Sequence, residues 1–301
     1  MRLITQNAYF LLTLTSLCWA GNAVAGQLAR GHVSPQVLTS LRWLIVSAVL
    51  IAIYHADLRR YWTEIKQHRW QLIAMSVVGF TGFNSLFYIA STQTTGVNIG
   101  ILQGSIPVFV MLGAYFAFRT KVTGRQILGV VITLSGVVIV AAKGDLERLL
   151  GLQFNPGDLI MLFACTLYSA YTVALKRRPP LPALVFMTVL SIIAVFASIP
   201  PLLIEIALGA ANYPDLQGWL VTFFVALFPS FIAQITFMRG VELIGPGRAG
   251  IFVNLVPIFA AFLAVMILSE PFKLYHAAAL GLVLGGIALA ERKKLNGAGK
   301  T

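Results

Sequence analysis

No group of residues in this chain has the types and spacing of a catalytic centre. HExxH, GxSxG and Walker-loop patterns are absent, and no two carboxylates are paired. All ten acidic residues (Asp57, Glu64, Asp145, Glu147, Asp158, Glu205, Asp215, Glu242, Glu270 and Glu291) fall in loops or near the ends of apolar runs. The chemistry on offer is non-covalent. Trp19 with Asn22, and Tyr168 with Tyr171, stand at i and i+3, which puts each pair on one helix face. Such a face can stack on a small amphipathic molecule and hydrogen-bond it, or it can pack on neighbours or sit in an interfacial belt. Asn84, Gln103, Gln234 and Asn254 are amides inside apolar runs. An unpaired amide in hydrocarbon is costly, so each must face protein or water, lining a cavity or bonding helix to helix. Arg42 lies about two turns into an apolar run, where it can meet a substrate carboxylate or serve a structural role. Cys18 and Cys165 have no CxxC or histidine partner, so neither a metal nor any other cofactor is expected.

A second set of residues could bend helices. The run 96–118, GVNIGILQGSIPVFVMLGAYFAF, carries Pro107 near its middle. It recurs as GPGRAGIFVNLVPIFAAFLAVMILSE with Pro257 in the same place; the offset of 150 also matches Gly100 with Gly250 and Gly136 with Gly286. A proline inside a helix frees a carbonyl four residues back, here those of Gln103 and Val253. Broken helices in corresponding positions of two repeats point to a transport site, although a static kink has the same sequence. Gly79 and Gly82 in GFTGFN, and Pro229 in FPSFIAQ, mark a second matched pair of weak points. The expected hinges are therefore Gly79, Gly82, Pro107, Pro229 and Pro257.

These residues need elements that hold them at membrane depth. Apolar residues make up 58% of the 301 and charged residues 11%, against about 25% charged in a soluble domain. The chain is thus a membrane protein. Its net charge of +12 does not mark a nucleic-acid binder, because the basic residues sit in short clusters between apolar runs. Ten runs have spanning length, near 7–29, 35–54, 70–92, 98–118, 124–142, 158–176, 183–208, 217–240, 248–268 and 272–290. Ser34 and Pro35 read as the N-cap and first residue of the second run. With a cytoplasmic N-terminus, 17 Lys and Arg fall inside and 4 outside, a strong positive-inside bias that places both termini in the cytoplasm.

Further matches make the halves repeats: Trp70 with Trp219 at 149, and Phe87 with Phe237 at 150, so one residue is gained between them. Trp19-Ala20-Gly21-Asn22 lies over Tyr168-Ser169-Ala170-Tyr171. Each half has five runs, an odd number, so the second is inverted in the bilayer. The expected organisation is a first repeat over 1–142, a linker over 143–157, a second repeat over 158–290 and a basic cytoplasmic tail over 291–301. Arg2, the run 8–20 and Ala23-Val24-Ala25-Gly26 imitate a secretory signal; because this segment is a repeat element, no cleavage is expected.

Particular stretches resemble a known family. VNLVPIFAAFLAVMILSEPFKLYHAAALGLVLGGIAL is similar to the second half of an EamA-type member of the drug/metabolite transporter superfamily. SIPVFVMLGAYFAF followed by GVVITLSGVVIV is similar to its first half, and LTSLRW places the family's arginine at Arg42. Within the superfamily the chain resembles the YddG-type amino-acid exporters. That resemblance implies an all-α integral membrane protein of ten transmembrane helices in two inverted five-helix repeats, and multi-pass placement in a bacterial inner membrane. It also implies export of amino acids, aromatic ones included. Two departures stand out: Glu270 has Thr120 as its counterpart, and Arg42 has Ser191.

Together these readings predict a secondary transporter, not an enzyme. Its expected partners are small-molecule substrates (amino acids) and the lipid bilayer, with no nucleic acid, and it would be a monomer or homodimer. Alternatives keep the fold and change the cargo to nucleotide-sugars or phosphorylated metabolites, or make the chain a passive pore or scaffold. Buried phosphates would call for several buried cations, and Arg42 alone is clearly at depth.

Overall fold

A backbone in lipid has no water to bond to, so apolar runs of this length close their hydrogen bonds within helices. In the computed structural model, which describes residues 6–94, 96–151, 155–267 and 273–291, all regular structure is helical. The first half comprises α1 (Ala8–Leu28), α2 (Pro35–Arg60), α3 (Trp62–Gln67), α4 (Arg69–Ser76), α5 (Phe83–Gln93), α6 (Gly96–Gln103), α7 (Ile106–Phe118) and α8 (Gly124–Ala141). After the short α9 (Leu146–Leu150) come α10 (Pro156–Ala174), α11 (Ala183–Ala207), α12 (Leu216–Val225), α13 (Ala233–Ile244), α14 (Pro246–Ile251), α15 (Leu255–Ile267) and α16 (Leu274–Glu291). Among the described residues, nine helical segments are long and apolar enough to cross a membrane, and Leu274–Ala290 is a shorter apolar helix.

Four spans are not continuous α-helices. A π-helical turn, Val77–Gly82, joins α4 to α5, and another, Ala226–Ile232, joins α12 to α13. α6 and α7 are separated at Gly104 and Ser105, and a 3-10 turn, Phe252–Asn254, separates α14 from α15. The loop over 57–69 and the linker carry α3 and α9, where irregular loops were expected, and α2 runs on to Arg60 past a non-helical Tyr54 (φ −111°, ψ 16°). Glu270, the start of the last run at Phe272 and the tail over 292–301 lie outside the described residues.

Local chemistry sets several helix starts. Thr123 and Gln126 form a capping box at α8, and Asn155 and Asp158 form one at α10. Ser34 is the N-cap of α2 by backbone geometry, but its side chain makes no cap bond. The Glu205 carboxylate of α11 does that instead. It accepts from the Gln36 N–H at 3.1 Å, the Val37 N–H at 3.2 Å and the Ser34 hydroxyl at 2.6 Å. An anion at a helix N-terminus is stabilised by the exposed N–H groups, and here it ties α2 to α11.

Packing repeats between the halves. α1 lies against α13 and α15, as α10 lies against α5 and α7. α2 runs along α11, and α8 along α16. The last pair approaches closely because Gly129 and Gly286 face each other; a Cβ on either would stand 2.6 Å from the other's carbonyl oxygen. Small residues let membrane helices touch backbone to backbone. Gly129→Ala is therefore expected to lower the apparent unfolding temperature in detergent, with an overpacking cost of about 1–3 kcal/mol. Gly285→Ala, whose Cβ would meet nothing within 4 Å, is expected to leave it in place.

Candidate substrate cavity

Where the discontinuous helices meet, they enclose a cavity of about 70 Å³. Its wall is built from repeat-related pairs: Trp19 with Tyr168, Asn84 with Gln234, Gln103 with Val253, and Ile106 with Val256, each 149 or 150 apart. Asn22, Ala23, Arg42, Phe83, Phe87 and Pro229 complete it. The site thus lies between the two halves of the chain. Its size is about half that of a cavity of ~150 Å³ that admits benzene, so an aromatic ligand needs the walls to part.

The aromatic side is one connected set of rings. Trp19 meets Tyr168 edge-on at 5.5 Å and Phe237 at 5.1 Å, and Phe83 meets Tyr168 at 5.0 Å. Offset and edge-on contacts at these distances are favourable beyond their area. The polar side has unsatisfied groups. The amide oxygens of Asn22 and Gln234 are buried without a hydrogen-bond partner. Such groups lose hydration for nothing unless water or a ligand bonds them.

Arg42 occupies the remaining side and is 3% exposed. Its Nε donates to Ser230 Oγ at 2.7 Å and its Nη1 to Asn84 Oδ1 at 3.2 Å; Tyr88 lies beside it. No carboxylate contacts it among the described residues. Both bonded partners are held by the π-helical turns. An i→i+5 turn leaves carbonyls without their usual donors. Ser230 Oγ donates to the Val225 carbonyl at 2.6 Å, and the Asn84 amide donates to the Phe80 carbonyl. Two distortions, one from each half, therefore fix a single guanidinium.

The helix breaks differ from the sequence expectation. Pro107 and Pro257 are not in the middle of continuous helices. Each sits in the first turn of the segment after the break, α7 or α15, where a missing N–H removes no helical bond. The carbonyls that take outside donors are those of Leu102 and Phe252, not Gln103 and Val253. Leu102 O accepts from Cys165 Sγ at 3.5 Å, and Phe252 O accepts from Ser16 Oγ at 2.8 Å. Cys165 and Ser16 are themselves 149 apart. Each half thus adds a small polar donor from the neighbouring helix to those its own chain supplies, Ser105 at Leu102 O and the Leu255 N–H at Phe252 O.

Trp19, Asn22, Asn84, Gln103, Tyr168, Gln234, Arg42 and Pro229 share the cavity wall. Tyr171 and Asn254 do not. Tyr171 is 1% exposed and packs edge-on against Phe80 at 5.6 Å. Gly79 exists for it: a Cβ there would lie 2.3 Å from the Tyr171 ring. Asn254 donates to Thr133 Oγ1 at 2.7 Å, so it joins the second break to α8. Gly79 and Gly82 lie in a π-helical turn, and Gly82, Pro107 and Pro257 stand outside the wall. Sequence reasoning missed Phe83, Phe87 and Ser230. Phe87 carried a signal, its register match to Phe237.

The two ends of the cavity differ. At one, Ala249, Ile251, Phe252 and Val253 are all buried, and a Cβ on Gly250 would stand 3.3 Å from Val110. Their counterparts at the other end, Ile99, Ile101, Leu102 and Gln103, are half-exposed. Val110 is fully buried, while its counterpart Ala260 is not. The closed end also carries Glu242 between Arg178 (Nε to Oε1, 2.8 Å) and Arg239 (2.9 Å). Across the open end, Asp215 and His32 pair at 2.7 Å; the Gly218 N–H and His32 hold the Asp215 carboxyl below the usual range.

Comparison with known proteins gives one consistent picture. A model described as the EamA-like transporter family matches residues 6–142 and again 155–291. The uncharacterized transporter YyaM of Bacillus subtilis (strain 168) is 24% identical over 95% of this chain and 93% of its own. The uncharacterized transporter YetK of the same strain is 25% identical over 96% of this chain and 88% of its own. The aromatic amino acid exporter YddG of Ancylobacter novellus is 22% identical over 91% of this chain and 93% of its own. One solved crystal structure superposes with a TM-score of 0.78 at 22% identity, covering 94% of this chain and 97% of that one, a likeness of fold.

The break chemistry generates a test. Ser16→Ala removes one of the two donors to the Phe252 carbonyl, leaving the Leu255 N–H, and is expected to cost about 0.5–1.5 kcal/mol of stability. Ser16→Cys, which copies the other half, is expected to recover most of that loss in a detergent unfolding assay.

Proposed function

This chain belongs to the EamA-like transporter family of the drug/metabolite transporter superfamily, and from that premise we propose that it exports amino acids, aromatic ones included, across a bacterial inner membrane by alternating access. The observation that carries the cargo is the composition of the cavity wall: a set of aromatics, two amide oxygens without partners and one cation. That set suits a molecule with a flat apolar part and a small polar part. The name of the Ancylobacter relative agrees with it. Phosphorylated cargo fits less well, because Arg42 is the sole cation on the wall among the described residues.

The mechanism uses ten spans in two inverted five-span halves, divided as 1–142 and 158–290, with both termini cytoplasmic. The bias of basic residues supports that orientation, and the matched packing of the halves supports the inversion. The closed end then faces the cytoplasm and the open end faces outward. Reversal requires α7 and α14 to part while α6 and α15 approach, with the breaks at 104–105 and 252–254 as pivots. The cavity walls supply the substrate-binding groups, and no catalytic residue, metal or cofactor is involved.

Reconstitution tests the cargo. Proteoliposomes loaded with unlabelled amino acid are expected to take up the labelled one by saturable exchange; a lack of exchange for every amino acid would reject the substrate. A cross-link tests the movement. A Val110→Cys/Gly250→Cys pair would place its sulfurs on Cβ atoms close enough to bridge. Oxidation is expected to abolish exchange and reduction to restore it, while ligand binding at the open end persists. Full exchange in the oxidised protein would show that this end does not open.

A further inference from the structure

Among the described residues the buried charge of Arg42 has no carboxylate counter-ion, and this sets a condition on when the cavity can close. A guanidinium stays protonated at any physiological pH. Removing one from water without an anion is costly, and the cost grows as the surroundings become drier. Ser230, Asn84 and Tyr88 hold the group by its N–H donors, but they offer hydroxyl and amide oxygens and no carboxylate. Hydrogen bonds orient a charge; they do not cancel it. The elements packed around it offer no acid. Glu205, the acid on α11 next to α2, is engaged by Ser34, Gln36 and Val37 at the helix start. Asp158, at the start of α10, is engaged by Thr94, Asn98 and Asn155. With the cavity open at one end, water can screen the guanidinium. When both ends are shut, the compensation must come from the cargo.

We infer that Arg42 is the carboxylate anchor of the site, and that its uncompensated charge lets the cavity occlude readily only when an anionic group is bound beside it. This rests on the transport reading above and makes it specific. The cargo bears a carboxylate, held by the guanidinium, and its remaining polar group meets the Asn22 and Gln234 amides. An empty carrier, having a bare cation to enclose, returns slowly. A loaded one returns fast. Flux is therefore exchange-stimulated: substrate on the far side accelerates movement from the near side.

Four probes with a common ring separate the contributions: L-phenylalanine, L-phenylalaninamide, 3-phenylpropionate and phenethylamine. Binding to the full-length purified protein is read by calorimetry. The two carboxylates are expected to bind at least about tenfold more tightly than their amide and amine counterparts, which lack the anionic group, the scale of one charge-assisted contact. Arg42→Gln is expected to reduce that ratio to within about twofold, and Arg42→Lys to keep part of it. In proteoliposomes, unlabelled substrate outside is expected to speed efflux several-fold in the wild type and hardly at all in Arg42→Gln. The wild-type comparison needs no variant, so a misfolded substitution does not rescue the idea. Equal binding of acid and amide by the wild type overturns the proposal, as does unchanged exchange stimulation in a folded Arg42→Gln. If 3-phenylpropionate shows the Arg42-dependent preference and phenylalanine does not bind, the anchor stands and the amino-acid reading falls. If phenylalanine is transported and Arg42 makes no difference, the reverse holds.

Discussion

A single guanidinium at membrane depth constrains the centre of this molecule. Arg42 can be kept there only if oxygen atoms reach it, and straight helices of apolar residues present none. The two π-helical turns solve that problem. Each loosens its own backbone bonding, and a nearby side chain takes up the released carbonyl: Ser230 for Val225, Asn84 for Phe80. Those side chains then face inward with a lone pair for the cation. The distortion in the third span and the distortion in the eighth are thus parts of one site, although 146 residues separate Asn84 from Ser230. The Trp43 ring, stacked on Phe80 at 4.6 Å and lying 5.3 Å from the guanidinium carbon, packs the same corner.

The helix breaks follow the same logic in a different place. A break in lipid leaves carbonyls exposed to a medium that cannot bond them. Ser16 and Cys165 reach Phe252 and Leu102 from the neighbouring helix, so each break is anchored to the helix that also carries Trp19 or Tyr168. The aromatic wall and the break are therefore tied to one helix in each half. Gly79 and Gly250 let Tyr171 and Val110 approach the facing helix, which makes the closed end dense. The open end keeps half-exposed side chains in the equivalent positions. This difference is the direct record of which way the cavity faces.

Much of the wall is legible in the sequence. Trp19 over Tyr168, and Asn84 and Gln234 at an offset of 150, stand out because a polar or aromatic residue in a membrane run needs a reason. Proline was a poorer guide. Pro107 and Pro257 announce that a break exists, yet the chain can place the break before the proline, where the missing N–H does no harm, and this chain does so. Asn254 and Tyr171 show the limit of periodicity. It gives the face of a helix but not the depth, so one became a bond to Thr133 and the other a packing partner for Gly79. Glu205 was read as a residue near a helix end, and its role as the cap of α2 depends on a contact 169 residues away from Gln36 that no local pattern reveals. Which end is shut was also illegible, because the two halves carry nearly matched sequences and the choice lies in how they pack.

The π-helical turns also explain an irregularity in the register of the repeats. Before them Trp70 and Trp219 are 149 apart, and after them Phe87 and Phe237 are 150 apart. The turn in the first half has six residues and that in the second has seven. The residue gained between the halves falls in the stretch that carries these turns. An insertion in an unbroken helix would swing every later side chain by about 100° around the axis. Here Asn84 and Gln234, which follow the turns, line the same cavity. The turn thus works as an expansion joint: the halves differ in length by one residue across it, and Asn84 and Gln234 still face the same space.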